Sequence, residues 1–149
     1  MKSETSLERA RKLAQRYLRY GSRSTAELTA HLAARDLPPD LLRETVEFCA
    51  RKSWLDDRLC AKLVATSLAD EGFAWAAIRE RLAQKGFAAS LIETTLEPLR
   101  RESSDEAQAR KLLEREQARR QPRGRRHIAG VLARHGFDAE LIEQVVGSE

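Results

Sequence analysis

Residues 78–96 read Ile78-Arg79-Glu80-Arg81-Leu82-Ala83-Gln84-Lys85-Gly86-Phe87-Ala88-Ala89-Ser90-Leu91-Ile92-Glu93-Thr94-Thr95-Leu96, and their apolar side chains decide the fold. Ile78 and Leu82 are four positions apart, as are Ile92 and Leu96, so each pair lies on one side of a helix. Between the pairs, Lys85-Gly86 stops the first helix, because glycine takes the left-handed conformation without a Cβ penalty. Phe87 then packs inward. Fifty residues upstream the same pattern is Leu28, Leu32, Leu37, Leu41, Leu42 and Val46; fifty downstream it is Ile128, Leu132, Phe137, Leu141, Ile142 and Val146. The register extends to Ala33, Ala83 and Ala133, and to Leu13, Leu63 and Leu113, two sets expected at equivalent positions, the leucines buried. Three tandem repeats of about 50 residues, at 1–53, 54–102 and 103–149, thus account for nearly all of the 149 residues.

Each repeat resolves into three helices. In the second, Asp56 is a helix N-cap, Leu59, Leu63 and Val64 build the apolar stripe of the helix it opens, and Gly72 ends that helix. The next helix runs from about Ala74 to Gln84, and Pro98 is expected to end or bend the third. The third repeat repeats this punctuation, with a capping box at Ser103-x-x-Glu106, a stop at His135-Gly136 and a cap at Asp138. The first opens its second helix with the box Ser24-x-x-Glu27 and starts its third at Pro38-Pro39, while Asp36 stands where the other copies have glycine. The expectation is an all-α chain of nine helices in three three-helix repeats, forming an elongated curved array whose stability comes largely from stacking.

Composition agrees. Hydrophobic residues make up 42% of the chain, charged residues 34% and aromatics 5%, which favours slim helices over an aromatic-rich sandwich or barrel. No apolar run approaches the roughly 18 residues of a membrane span, and Met1 to Ala10 lacks the apolar stretch of a signal peptide. A cytoplasmic protein with no membrane association is expected, and Cys49 and Cys60, spaced for neither zinc nor redox chemistry, are expected reduced and buried.

Catalysis needs a nucleophile with a base, an acid–base pair or a metal, and the residues supply none convincingly. His31, His127 and His135 lack helical metal-site spacing, and the seven glycines form no phosphate-binding loop. Asp56-Asp57 is not a carboxylate pair, since neighbours on a helix point in different directions and Asp56 caps. The expectation is a binding protein without catalytic residues, metal or cofactor. Trp54, at the junction of repeats one and two, is expected to be buried. Trp75 aligns with Thr25 and Arg125, a polar position, and is expected to be an exposed contact.

Net charge is +4, unevenly spread. Arg9, Arg11, Lys12, Arg16, Arg19 and Arg23 fall in a segment without an acid, as do Arg119, Arg120, Arg123, Arg125 and Arg126, whereas Asp56 to Glu71 holds four acids. Each basic cluster reads either as a phosphate- or acid-binding surface or as a solvated helical face. Arg79, Arg81 and Lys85 lie on the polar side of the helix that buries Ile78 and Leu82. The candidate partner-binding set is therefore Arg16, Arg19, Arg23, Trp75, Arg79, Arg81, Lys85, Arg119, Arg120, Arg123, Arg125 and Arg126.

The string Trp54-Leu55-Asp56-Asp57, then Gly72-Phe73, then Ile78-Arg79-x-x-Leu82-x-x-Lys85-Gly86-Phe87 resembles the signature of the RecX family, bacterial regulators of the RecA recombinase. The family's tandem three-helix repeats match the period read above. The chain departs from the family pattern at Cys60, Leu68, Asp70 and Glu71, and at Ala74 and Trp75, which shifts the expected basic contact surface to repeats one and three. The resemblance implies a monomer that binds the RecA filament on single-stranded DNA, blocks its growth or promotes its disassembly, and lowers recombination, ATP turnover and repressor self-cleavage. DNA repair, DNA recombination and the SOS response would be its setting. The alternative is a direct nucleic-acid-binding protein built from three-helix units; a weak nonspecific DNA contact is compatible with either reading.

Overall fold

The computed structural model describes residues 5–147; residues 1–4 and 148–149, the outer edges of the first and third repeats, lie outside the described residues. Among the described residues there are nine α-helices and no strand: α1 (Ser6–Arg19), α2 (Thr25–Ala33), α3 (Pro39–Arg51), α4 (Asp57–Asp70), α5 (Trp75–Gln84), α6 (Ala89–Glu102), α7 (Asp105–Gln117), α8 (Arg125–Arg134) and α9 (Ala139–Val146). The extensive helix contacts stay within successive triplets: α1 and α2 with each other and with α3, α4 and α5 likewise with α6, and α7 and α8 likewise with α9.

Three apolar clusters follow from the periodic residues. Leu28 and Leu32 centre the first, Ile78, Leu82, Phe87 and Leu96 the second, and Ile128, Leu132 and Phe137 the third. Each is small, and the chain exposes 9904 Å², against about 7,700 Å² for a compact monomer of its 16.9 kDa. The excess surface is that of an open array, in which units touch neighbours rather than share one core.

Local chemistry sets most helix ends. Thr5 and Ser24 each close a capping box, with Glu8 and Glu27 respectively, while Asp56 and Asp138 accept from the amides of Leu59 and Leu141. Asp36 sits at φ 60°, the left-handed site that glycine fills in the other copies. Two expected ends differ. Helix α6 runs through Pro98 to Glu102; Pro98 lies on the exposed side, where water can satisfy the carbonyl its missing N–H leaves unpaired. The cap of α7 is Ser104, not Ser103, and its hydroxyl accepts from Ala107.

The leucine register also fails at one position. Leu63 is 52% exposed, whereas Leu13 and Leu113 are partly buried. The first helices do not keep the fifty-residue step, because cap Asp56 follows Thr5 by 51 residues and Ser104 follows Asp56 by 48. Counted from the caps, Leu63 matches the solvent-facing Lys12 and Lys111.

The triplets are joined by a recurring set of bonds. At the first joint, Thr25 donates from its N–H and its hydroxyl to Asp57 Oδ1 at 2.8 and 3.0 Å, Ser24 Oγ donates to the Lys85 carbonyl, and Lys85 Nζ pairs with Glu27 at 3.0 Å. At the second, the Trp75 N–H donates to Asp105 Oδ1 at 3.1 Å and the Ala74 N–H to the His135 carbonyl at 2.9 Å. A carboxylate on the first residue of one triplet therefore caps the middle helix of the triplet before it. Gly86 (φ +86°) and Gly136 (φ +95°) let these backbones meet: a Cβ there would lie 2.3 Å from Ala26 Cβ and 2.6 Å from Ala77 Cβ.

Candidate partner-binding surface

The structure sorts the candidate cations by whether they already have internal work. In the first triplet the Arg23 guanidinium lies 4.5 Å over the Tyr17 ring, and Tyr17 stacks on His31 at 3.9 Å, nearly parallel. Arg11 covers Phe48 at 3.8 Å. Burial lowers the His31 pKa, and the charges of Arg35 and Arg23 add to the shift. Arg16, Arg19 and Tyr20 are exposed.

On α5 and at its C-cap, Lys85, each of the three candidate cations has a partner. Arg79 pairs with Glu93 at 2.8 Å, Arg81 lies 4.2 Å over the Phe73 ring, and Lys85 spans the first joint to Glu27. Arg23 and Lys85 come together there, both lowering the Glu27 pKa. Burial of that carboxyl works the other way, but the Ser24 N–H and these two cations outweigh it. The Arg79 hydrogen bond likewise holds Glu93 below its ordinary value. Both carboxylates are thus kept ionised, the opposite of what a general acid needs.

The third cluster is different. Arg119 pairs with the largely buried Glu116 at 3.1 Å, whereas Arg120, Arg123, Arg125 and Arg126 form no ion pair among the described residues and are exposed. They occupy the loop at 118–124 and the first turn of α8, whose cap, Gly124, offers no side-chain acceptor. Cations at a helix N-terminus oppose its dipole, and its amides are unsatisfied. An incoming anion would relieve both, so this segment suits phosphates or carboxylates.

Both tryptophans depart from expectation. Trp75 is 5% exposed, and its indole N–H donates to the Ser103 carbonyl at 2.8 Å. It is an anchor between the second and third triplets rather than an exposed contact, because the α5 start that aligned with polar residues is covered by the α6–α7 connection. Trp54 is 39% exposed, meeting Phe48 edge-on at 5.5 Å. The role of Asp57 as a neighbour's cap escaped sequence reasoning, although an acid directly after the cap in both Asp56-Asp57 and Ser104-Asp105 carries the signal.

Cys49 and Cys60 are buried, and burial raises both thiol pKa values, which keeps them protonated and unreactive. Among the described residues no cluster of three or more His, Cys, Asp or Glu could hold a metal, and no helix is long and apolar enough to cross a membrane.

No family model matches the chain. It is 29% identical over 148 residues to the regulatory protein RecX of Thermobifida fusca (strain YX), spanning 95% of this chain and 78% of that one. The crystal structure of RecX from Lactobacillus salivarius shares the fold with a TM-score of 0.71 at 19% identity, over 94% of each chain. A second crystal structure, of a regulatory protein RecX, gives a TM-score of 0.68 at 23% identity, over 93% of this chain and 70% of that one.

Proposed function

We infer that this chain, a member of the RecX family by sequence and fold, regulates a bacterial RecA recombinase by binding it or its filament on single-stranded DNA, chiefly inhibiting recombinase, ATPase and co-protease activity. The observation that carries the reading is the pair of joints: Asp57 and Asp105 tie successive triplets in the same way. Units held at a fixed spacing suit a partner that is itself repetitive, since modest contacts then add through effective concentration. In this reading the protein acts as a cytoplasmic monomer, binds rather than catalyses, and serves DNA repair, recombination and the SOS response.

Arg16, Arg19, Arg120, Arg123, Arg125 and Arg126 are the contact residues proposed first, being exposed. Arg23, Arg79, Arg81, Lys85 and Arg119 contribute charge to the surface while held by internal partners, and Trp75 acts by holding the second joint.

The test adds the intact protein to RecA on single-stranded DNA and follows ATP hydrolysis, with binding to naked DNA measured in parallel. Reduced ATP turnover supports the reading. Untouched filaments together with tight binding to naked DNA would replace it with the second reading, a direct nucleic-acid-binding protein, which the uncapped, arginine-lined start of α8 favours. If those arginines meet phosphates, each one replaced by alanine lowers the log–log salt slope of binding by about one unit.

A further inference from the structure

Helix α4 exposes large leucine side chains where its counterparts do not. Leu59 and Leu63 are each 52% exposed, at the third and seventh positions after the cap Asp56. The same positions hold Glu8 and Lys12 in α1 and Ala107 and Lys111 in α7. Glu8 closes a capping box; Leu59 cannot, so α4 forgoes a local bond to present a leucine to water.

Leu59 lies between two concavities. A groove of about 520 Å³ runs between α4 and α6, lined by Leu91, Pro98 and Leu99 and by Thr94 and Thr95, whose hydroxyls are committed to carbonyls of their own helix. A smaller hollow on the other side is lined by Trp54 and Leu63. Arg58 and Lys62 border the groove and have no ion pair among the described residues; Glu102 is the one acid in its lining.

We propose that this groove is the docking site for an acidic amphipathic segment of a protein partner, its apolar side chains seated on Leu59, Leu91 and Leu99 and its carboxylates on Arg58 and Lys62. Charge complementarity selects the occupant. A second copy docking through this face would bring its own Arg58 and Lys62 against the first pair, and like charges at a desolvated contact are costly. The inference rests on the proposed function for one point, that the partner is the recombinase; the chemistry of the occupant follows from the groove.

The test titrates the intact protein into a fluorescent peptide with leucines at helical spacing and glutamates between, and into the same composition in scrambled order. The periodic peptide binds more tightly, and Leu59→Ser/Leu63→Ser and Arg58→Glu/Lys62→Glu each weaken it at least about tenfold, or about 1.4 kcal/mol. Circular dichroism stays unchanged, since all four side chains are exposed. Equal binding of both peptides, or binding that neither variant alters, overturns the proposal. So does self-association in sedimentation that Leu59→Ser/Leu63→Ser abolishes, which would make a second copy the occupant. The same variants then enter the RecA ATPase assay. Lost inhibition identifies the recombinase as the partner, whereas retained inhibition overturns that assignment and leaves the proposed function standing. A wild-type protein that binds the peptide yet never inhibits RecA refutes the proposed function and leaves the groove.

Discussion

Gly86→Ala tests the joint between the first two triplets. Two costs arise from the geometry. An alanine at φ +86° pays about 1–2 kcal/mol for left-handed backbone. Its Cβ would also sit 2.3 Å from Ala26 Cβ, where carbon atoms prefer about 3.5–4.0 Å, so α2 and the end of α5 must part by more than an ångström. That separation breaks the Ser24 hydroxyl bond to the Lys85 carbonyl, worth about 1 kcal/mol. The total is about 3 kcal/mol, a large share of a small array's stability. Ala26→Gly alone should cost about 1 kcal/mol in helix propensity, yet it removes the clash. The double variant should therefore lose about 1–2 kcal/mol less than the two singles together, a coupling readable in a double-mutant cycle of urea midpoints. A cost below about 0.5 kcal/mol for Gly86→Ala, or strict additivity with Ala26→Gly, would refute the close approach and the joint built on it.

Asp57→Ala should cost about 1 kcal/mol and speed hydrogen exchange at the Thr25 amide, while Asp56→Ala exposes the Leu59 amide instead; the reverse pattern would contradict the assignment of the two caps. Leu82→Ala, at a fully buried site, should cost about 2–5 kcal/mol, whereas Leu63→Ala stays within about 0.5 kcal/mol; equal losses in denaturant melts would mean α4 is rotated. Glu27 has a folded pKa lowered from 4.5, so its stabilisation is present above that value and is lost as pH falls through the folded one. Glu27→Gln should flatten this acid limb in urea midpoints taken between about pH 6 and pH 3, and an unchanged limb would show that the Lys85 pair does not tie the triplets.

Much of the architecture is legible along the chain because it arises within one or two helical turns. The pairs Leu28/Leu32, Ile78/Leu82 and Ile128/Leu132 mark buried faces, and all six side chains are buried. The Ser24 box and the Asp56 and Asp138 caps act across three residues, so their sequence spacing is their geometry. What joins the triplets has no such local signature. Thr25 and Asp57 are 32 residues apart, Ser24 and Lys85 61, and Trp75 and Asp105 30. Which residue answers which depends on how one packed triplet lies against the next. The same holds for Trp75, whose place in the repeat reads as polar until the α6–α7 connection covers it, and for Leu63, which aligns with the partly buried Leu13 and Leu113 until the caps reset the register. Periodicity and capping, acting over a few residues, belong to the sequence; long-range contacts decided which side chains hold the array together and which, like Arg123 and Leu59, are left facing outward.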